Sequence, residues 1–183
     1  MTGQMADIFM LGGDLFSLVG VRGQELCKTE DFTITPLSSC TACWRGYQMK
    51  YHFINNQLFL DEMLVNGDDP PIINGIKPQN GDRLFKYYYK NLKYKTTFTG
   101  KILLAKDFIQ SMYVHMGFQR PMAFNTIIEI RMKDGKIISE KDLSKEMEEK
   151  RIQNANEGAS PRSDSKSDIK NWVEETFSLD YDF

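Results

Sequence analysis

Two cysteines three residues apart, in Cys40-Thr41-Ala42-Cys43, are the first side chains in this sequence with chemistry in their spacing. Two thiolates that close can grip one metal ion or form a redox disulfide. A structural zinc needs two further ligands, and the chain offers only Cys27, His52 and His115, with no second pair of the same kind. A thioredoxin-like site would need a helix after the pair, yet Trp44 to Phe53 has the pattern of a strand. The plainer reading is two small residues buried where a strand begins, so no metal and no cofactor is expected. His115 is the second candidate, set in Tyr113-Val114-His115-Met116-Gly117-Phe118, with Glu129 available to orient it as a base. A structural histidine explains the same residues more simply. No nucleophile elbow, phosphate loop, zinc-protease helix or dinucleotide loop occurs in the chain. Nothing here compels an enzyme.

A third stretch, Arg83 to Lys106, mixes seven cations with Phe85, Tyr87, Tyr88, Tyr89 and Tyr94. Bases stack on aromatic faces and phosphates pair with cations, so a single-stranded nucleic acid is one partner that such a stripe could take. The alternative is a strand with wet lysines and half-buried tyrosines. Residues 1–139 carry 16 Lys and Arg against 13 Asp and Glu, too slight an excess to favour nucleic acid. Residues 140–183 carry 7 against 12, so a mildly basic body precedes an acidic tail. In that tail Ile169, Trp172, Val173 and Phe177 fall on one helical stripe, followed by Asp180-Tyr181-Asp182-Phe183. Trp172, Phe177 and Tyr181 are therefore the binding candidates, docking either on their own domain or on a protein partner.

The elements that must position these residues read mainly as strands. Turn signals recur through the first 139 residues, and the pieces between them are rich in Ile, Val, Phe, Tyr and Thr. The pattern predicts an all-β chain, with α+β as the alternative, folded as an antiparallel β-sandwich or partly open barrel over residues 5–139. One hairpin is expected from Tyr47 to Leu64 around Asn55-Asn56, and another from Phe124 around Asp134-Gly135 into Ile137-Ile138. The Pro70-Pro71 region and the stretch from Ile73 to Asp82 read as a long surface loop. A helix is expected over 140–153, a flexible linker over 154–167, and a mobile acidic-aromatic tail, in part a short amphipathic helix, over 168–183. No run of apolar residues is long enough for a membrane helix. An odd cysteine count with no basic leader points to a cytoplasmic chain.

Ser39-Cys40-Thr41-Ala42-Cys43-Trp44-Arg45-Gly46-Tyr47 also resembles a string found in a family of small bacterial proteins of unassigned function. There it leads into a hairpin similar to Asn55-Asn56-Gln57-Leu58-Phe59-Leu60, and a later string is similar to Tyr113 to Phe118. The resemblance covers about residues 38–65 and 96–139. The hairpin's usual Trp is Tyr51 or Phe53 here, and neither Asp68–Lys90 nor the tail has a counterpart. It implies the fold outline, and it draws Arg45 and His115 together as residues of its two strings. The leading expectation is a non-catalytic protein-binding module of immunity or accessory type. A small enzyme or ligand binder using Arg45 and His115 in one pocket is the alternative, and a single-strand binder a lesser one.

Overall fold

Hairpin turns set the framework. In the computed structural model, which describes residues 2–38, 40–153, 161 and 163–181, Asn55 and Asn56 both take positive φ (50° and 61°), as do Asp134 (50°) and Gly135 (75°). Positive φ at both central residues matches the twist of the flanking strands, which is why Asn and Gly occupy them. The strands are β1 (Ile8–Leu11), β2 (Asp14–Gly23), β3 (Tyr47–Ile54), β4 (Gln57–Val65), β5 (Gln79–Asn80), β6 (Tyr87–Tyr89), β7 (Tyr94–Lys95), β8 (Gly100–Phe108), β9 (Phe124–Lys133) and β10 (Lys136–Asp142). Two helices follow, α1 (Ser144–Gln153) and α2 (Lys166–Phe177).

All ten strands belong to one sheet, in the order β10-β9-β8-β2-β1-β3-β4-β6-β5, with β7 also on β4. Its pairs are antiparallel except β1 with β3, which run parallel. The sheet curls until β10 meets β4 at Lys136 and Gln57, with Leu58 N–H donating to the Gly135 carbonyl at 2.8 Å. Beyond that point β4 is already paired, to β7 at Phe59 and Leu60 and to β6 from Met63 to Val65, so the seam cannot extend. The result is a partly open barrel, not a stack of two sheets.

Alternation explains the interior. Leu58 and Leu60 point inward on β4, then Met63 and Val65, all fully buried. The change of parity is a bulge, since Lys50 faces Glu62 while Tyr51 faces Leu60, leaving Asp61 unpaired. A bulge inserts one residue without turning the apolar side outward. With Phe9, Tyr51, Ile102 and Ile130 these residues form the core inside the curl.

A second, smaller core lies on the outer face of β2, β8 and β9, where Val19, Leu103, Ala105 and Ile127 meet Leu143 and Met147. Strand β10 continues past Ser139 through Asp142, so the expected helix over 140–153 begins only at Ser144. Asp142 accepts from the Ser144 N–H at 2.9 Å, and Arg151 caps the Met122 and Phe124 carbonyls. Ile152, placed with Leu143 and Met147 by its spacing, is instead 78 % exposed. It lies five residues after Met147, about 500° around the helix and so off the packed face. Among the described residues no helix is long and apolar enough to cross a membrane. Much of the expected linker, 154–160, lies outside the described residues.

Candidate functional site

The Trp-Arg-Gly-Tyr string is wound tightly ahead of β3. Cys43 N–H donates to the Cys40 carbonyl and Gly46 N–H to the Cys43 carbonyl, giving two successive turns. These turns aim Arg45 back at β1. Its guanidinium grips Asp7 in a two-pronged pair, at 3.0 and 2.7 Å, and donates to the Met5 carbonyl at 3.3 Å. Asp7 is buried and also accepts from the Met49 N–H at 2.8 Å. The guanidinium lies 4.6 Å from the Tyr47 ring centre and 5.8 Å from that of Phe118. Burial works to lower the Arg45 pKa, and the Asp7 carboxylate more than offsets it, so the charge is held firmly.

Phe118 belongs to the second string, so the two strings do meet. Residues 3–7 stitch them together. Gln4 N–H donates to the Gly117 carbonyl at 2.7 Å, and Gly3 N–H to the Tyr113 hydroxyl at 2.9 Å. Met5 N–H donates to the Ala42 carbonyl, and the Gln4 side chain accepts from Trp44 N–H. None of this was visible in the spacing of the strings. Asp7 carried a signal only as an acid among apolar neighbours.

His115 is not drawn into this junction. Its side chain is exposed and stands edge-on to Tyr113, with ring centres 4.9 Å apart. Glu129 is engaged elsewhere, accepting from the Lys101 ammonium at 3.1 Å and from the Tyr181 hydroxyl at 3.3 Å. Two surface hollows, one lined by Arg22, Lys101 and Arg131 and the other by Gln24, Asp31 and Tyr94, include neither Arg45 nor His115. With both terminal nitrogens engaged by Asp7 and Met5, and its buried Nε left without a partner, Arg45 acts as a clamp between chain segments.

The cysteines divide by burial. All three are free. Cys43 is buried, donates to the Tyr47 carbonyl at 3.2 Å, and has its thiol pKa raised by burial. Burial likewise pushes the Cys27 thiol up to about 12. Among the described residues no group of three His, Cys, Asp or Glu side chains is placed to hold a metal ion. The cation-aromatic stretch is also dispersed. Phe85 and Tyr89 are buried, Tyr94 stands edge-on to Phe32, and Lys106 pairs with Asp14 at 2.7 Å.

The tail docks on the same junction. Ser165 caps α2 by accepting from the Asp168 N–H, and the helix brings Phe177 flat against Trp44, ring centres 4.8 Å apart at 12°. Phe118 N–H donates to the Thr176 carbonyl at 2.9 Å, and Val21 N–H to the Leu179 carbonyl at 2.7 Å. Tyr181 then lies over Gly20, where a Cβ would come within 2.5 Å of its ring. Trp172 is half-buried, and its carbonyl accepts from Thr176 at 2.6 Å. Of the two dockings open to the tail, this structure has the one on its own domain. Phe177→Ala is accordingly expected to lower stability by about 1–2 kcal/mol, through lost stacking and burial. Limited proteolysis should cut the variant faster in the α2 segment. Unchanged cleavage and an unchanged melting temperature would mean that the tail does not hold to the body. Comparison with known protein families, with curated proteins and with solved structures finds no match for this chain.

Proposed function

We propose that this chain is a cytoplasmic, non-catalytic protein-binding module that masks a partner's surface, as an immunity-type or accessory factor would. The observation that carries the reading is a set of large apolar side chains left partly exposed on segments that meet at Asn66. Leu37 is 50 % exposed, Trp44 49 % and Leu84 37 %. Their segments converge there: Leu37 N–H donates to the Asn66 carbonyl, Asn66 N–H to the Gly46 carbonyl, and the Asn66 amide to the Leu84 carbonyl. Single exposed apolar residues are ordinary, whereas several on segments tied to one residue suit a protein interface. Three free cysteines suit a reducing compartment. The alternative, a pocket shared by Arg45 and His115, has less support because Arg45 is already committed to Asp7.

The test is chemical cross-linking in the native cytosol, comparing wild type with a Leu37→Asp, Leu84→Asp variant. We expect a discrete cross-linked complex whose yield falls about tenfold in the variant, since charges in an interface core are poorly tolerated. The variant's melting temperature should fall only slightly, as both side chains are already partly exposed. Equal yields from the two proteins would remove this patch as the binding surface.

A further inference from the structure

The outer face of the sheet carries a row of like charges. Arg22 on β2 sits directly opposite Lys101 on β8, and Lys101 directly opposite Arg131 on β9. Strands lie about 4.8 Å apart, so the three cations span roughly 10 Å across the sheet. Lys133 follows two residues along β9 on the same face, and Ser139 of β10 lies opposite Arg131. All four cations line an open groove of about 430 Å³, with Thr99 and Ile138, and none of its lining residues is acidic or aromatic. Like charges directly opposite one another destabilise a sheet. Glu129 answers Lys101 from beside the row, and no ion pair to Arg131 or Lys133 occurs among the described residues.

Gly100, also in the groove lining, lets β8 approach the β2 backbone and the Phe98 ring closely. Gly100 has φ 155°, and a Cβ there would come within 2.3 Å of the Arg22 carbonyl oxygen. At one rim β10 bulges between Ile137 and Ser139, leaving Ile138 54 % exposed beside the cations.

We infer that this groove binds an acidic, extended peptide segment of a partner protein. Its carboxylates would cross the Arg22–Lys101–Arg131 row, and an apolar residue would rest on Ile138. Charge complementarity and the protein's own chain both favour a peptide. Tyr181 of the acidic tail already lies at the margin of the row, donating to the same Glu129 that holds Lys101. Nucleic acid is the less suited polyanion, because single strands are held by stacking on aromatic faces and this groove has none. The surface is separate from the Leu37–Trp44–Leu84 patch, so either assignment can fail alone.

Fluorescence anisotropy of the full chain tests it, with a fluorescein-labelled peptide of alternating Asp and Leu as the probe. The same peptide with Asn for Asp, and a labelled oligothymidylate, serve as comparisons. The acidic peptide should bind in a salt-sensitive way, and Arg131→Glu with Lys133→Glu should weaken it about tenfold or more. Arg131→Gln is expected to weaken binding while leaving the melting temperature equal or higher, because it relieves the row's repulsion. The proposal is overturned if the Asn peptide binds as well, if oligothymidylate binds more tightly, or if the charge reversal leaves the affinity unchanged. A clear fall in melting temperature for Arg131→Gln would also overturn it, since the row would then be structural.

Discussion

Asp7→Asn is expected to destabilise the protein by about 3 kcal/mol, toward the lower end of the range for breaking a buried ion pair. Asp7 is 5 % exposed, and its carboxylate takes both prongs of Arg45 as well as the Met49 N–H. An amide keeps the shape but withdraws the charge, leaving the guanidinium uncompensated against Tyr47 and Phe118. The Arg45 side chain is 21 % exposed, so water relieves part of the penalty. For a chain of this size the loss corresponds to a fall of about 6–12 °C in melting temperature. Adding Arg45→Met to Asp7→Asn should recover part of it, because the stranded charge goes with its partner. A urea titration showing Asp7→Asn within about 0.5 kcal/mol of wild type, the usual scatter for a surface change, would show that the clamp is superficial.

Gly46→Ala is expected to cost about 2–5 kcal/mol, although it adds a single methyl. Gly46 has φ 73°, a left-handed conformation that costs an L-residue about 1–2 kcal/mol. Its Cβ would also lie 2.4 Å from the Leu37 carbonyl oxygen and 2.9 Å from the Leu37 nitrogen. Both are backbone atoms and cannot rotate away, so a loop must shift, which typically adds 1–3 kcal/mol. The shift would also disturb the Asn66 N–H, which donates to the Gly46 carbonyl at 2.8 Å. Circular dichroism melts of Gly46→Ala beside Gly75→Ala make the comparison, since Gly75 shares a positive φ (80°) but has open space at its Cβ. Equal losses at the two positions would mean that backbone strain alone, and not the Leu37 contact, accounts for Gly46.

Much of the framework was legible because its signals are local. Asn55-Asn56 and Asp134-Gly135 announce their hairpins within two residues, and the apolar alternation on either side sets which face is buried. The curl was less legible. It depends on Lys136 meeting Gln57, which have no relation in the sequence beyond each flanking a turn. The parallel pairing of β1 with β3 is of the same kind, since neither strand carries a mark of its neighbour. In the candidate site, Arg45 and His115 stood out through their strings, yet what organises the junction is the plain stretch from Gly3 to Asp7. Its work is done largely through backbone groups, and backbone groups are the same in every sequence. The stripe in the tail was readable as a helix, while its target, Trp44, could be found only in three dimensions.

The seam where the curl closes has a consequence for how the chain reaches this structure. Each hairpin brings together residues that are neighbours along the chain and can form within microseconds. The seam joins Leu58 to Gly135 and has the Gln57 amide donating to Thr96 and Gly135, partners 39 and 78 residues away. Closing so long a loop is entropically expensive and is rewarded only when the interior is already assembled. The seam should therefore be the last part to form and the first to open, with the Leu58 and Ile137 amides exchanging hydrogen sooner than those of Ile102 and Ile130 in the central strands. A partly open barrel of this kind has a built-in line of breathing. Substitutions along it should mainly change the rate of unfolding and leave the rate of folding nearly untouched.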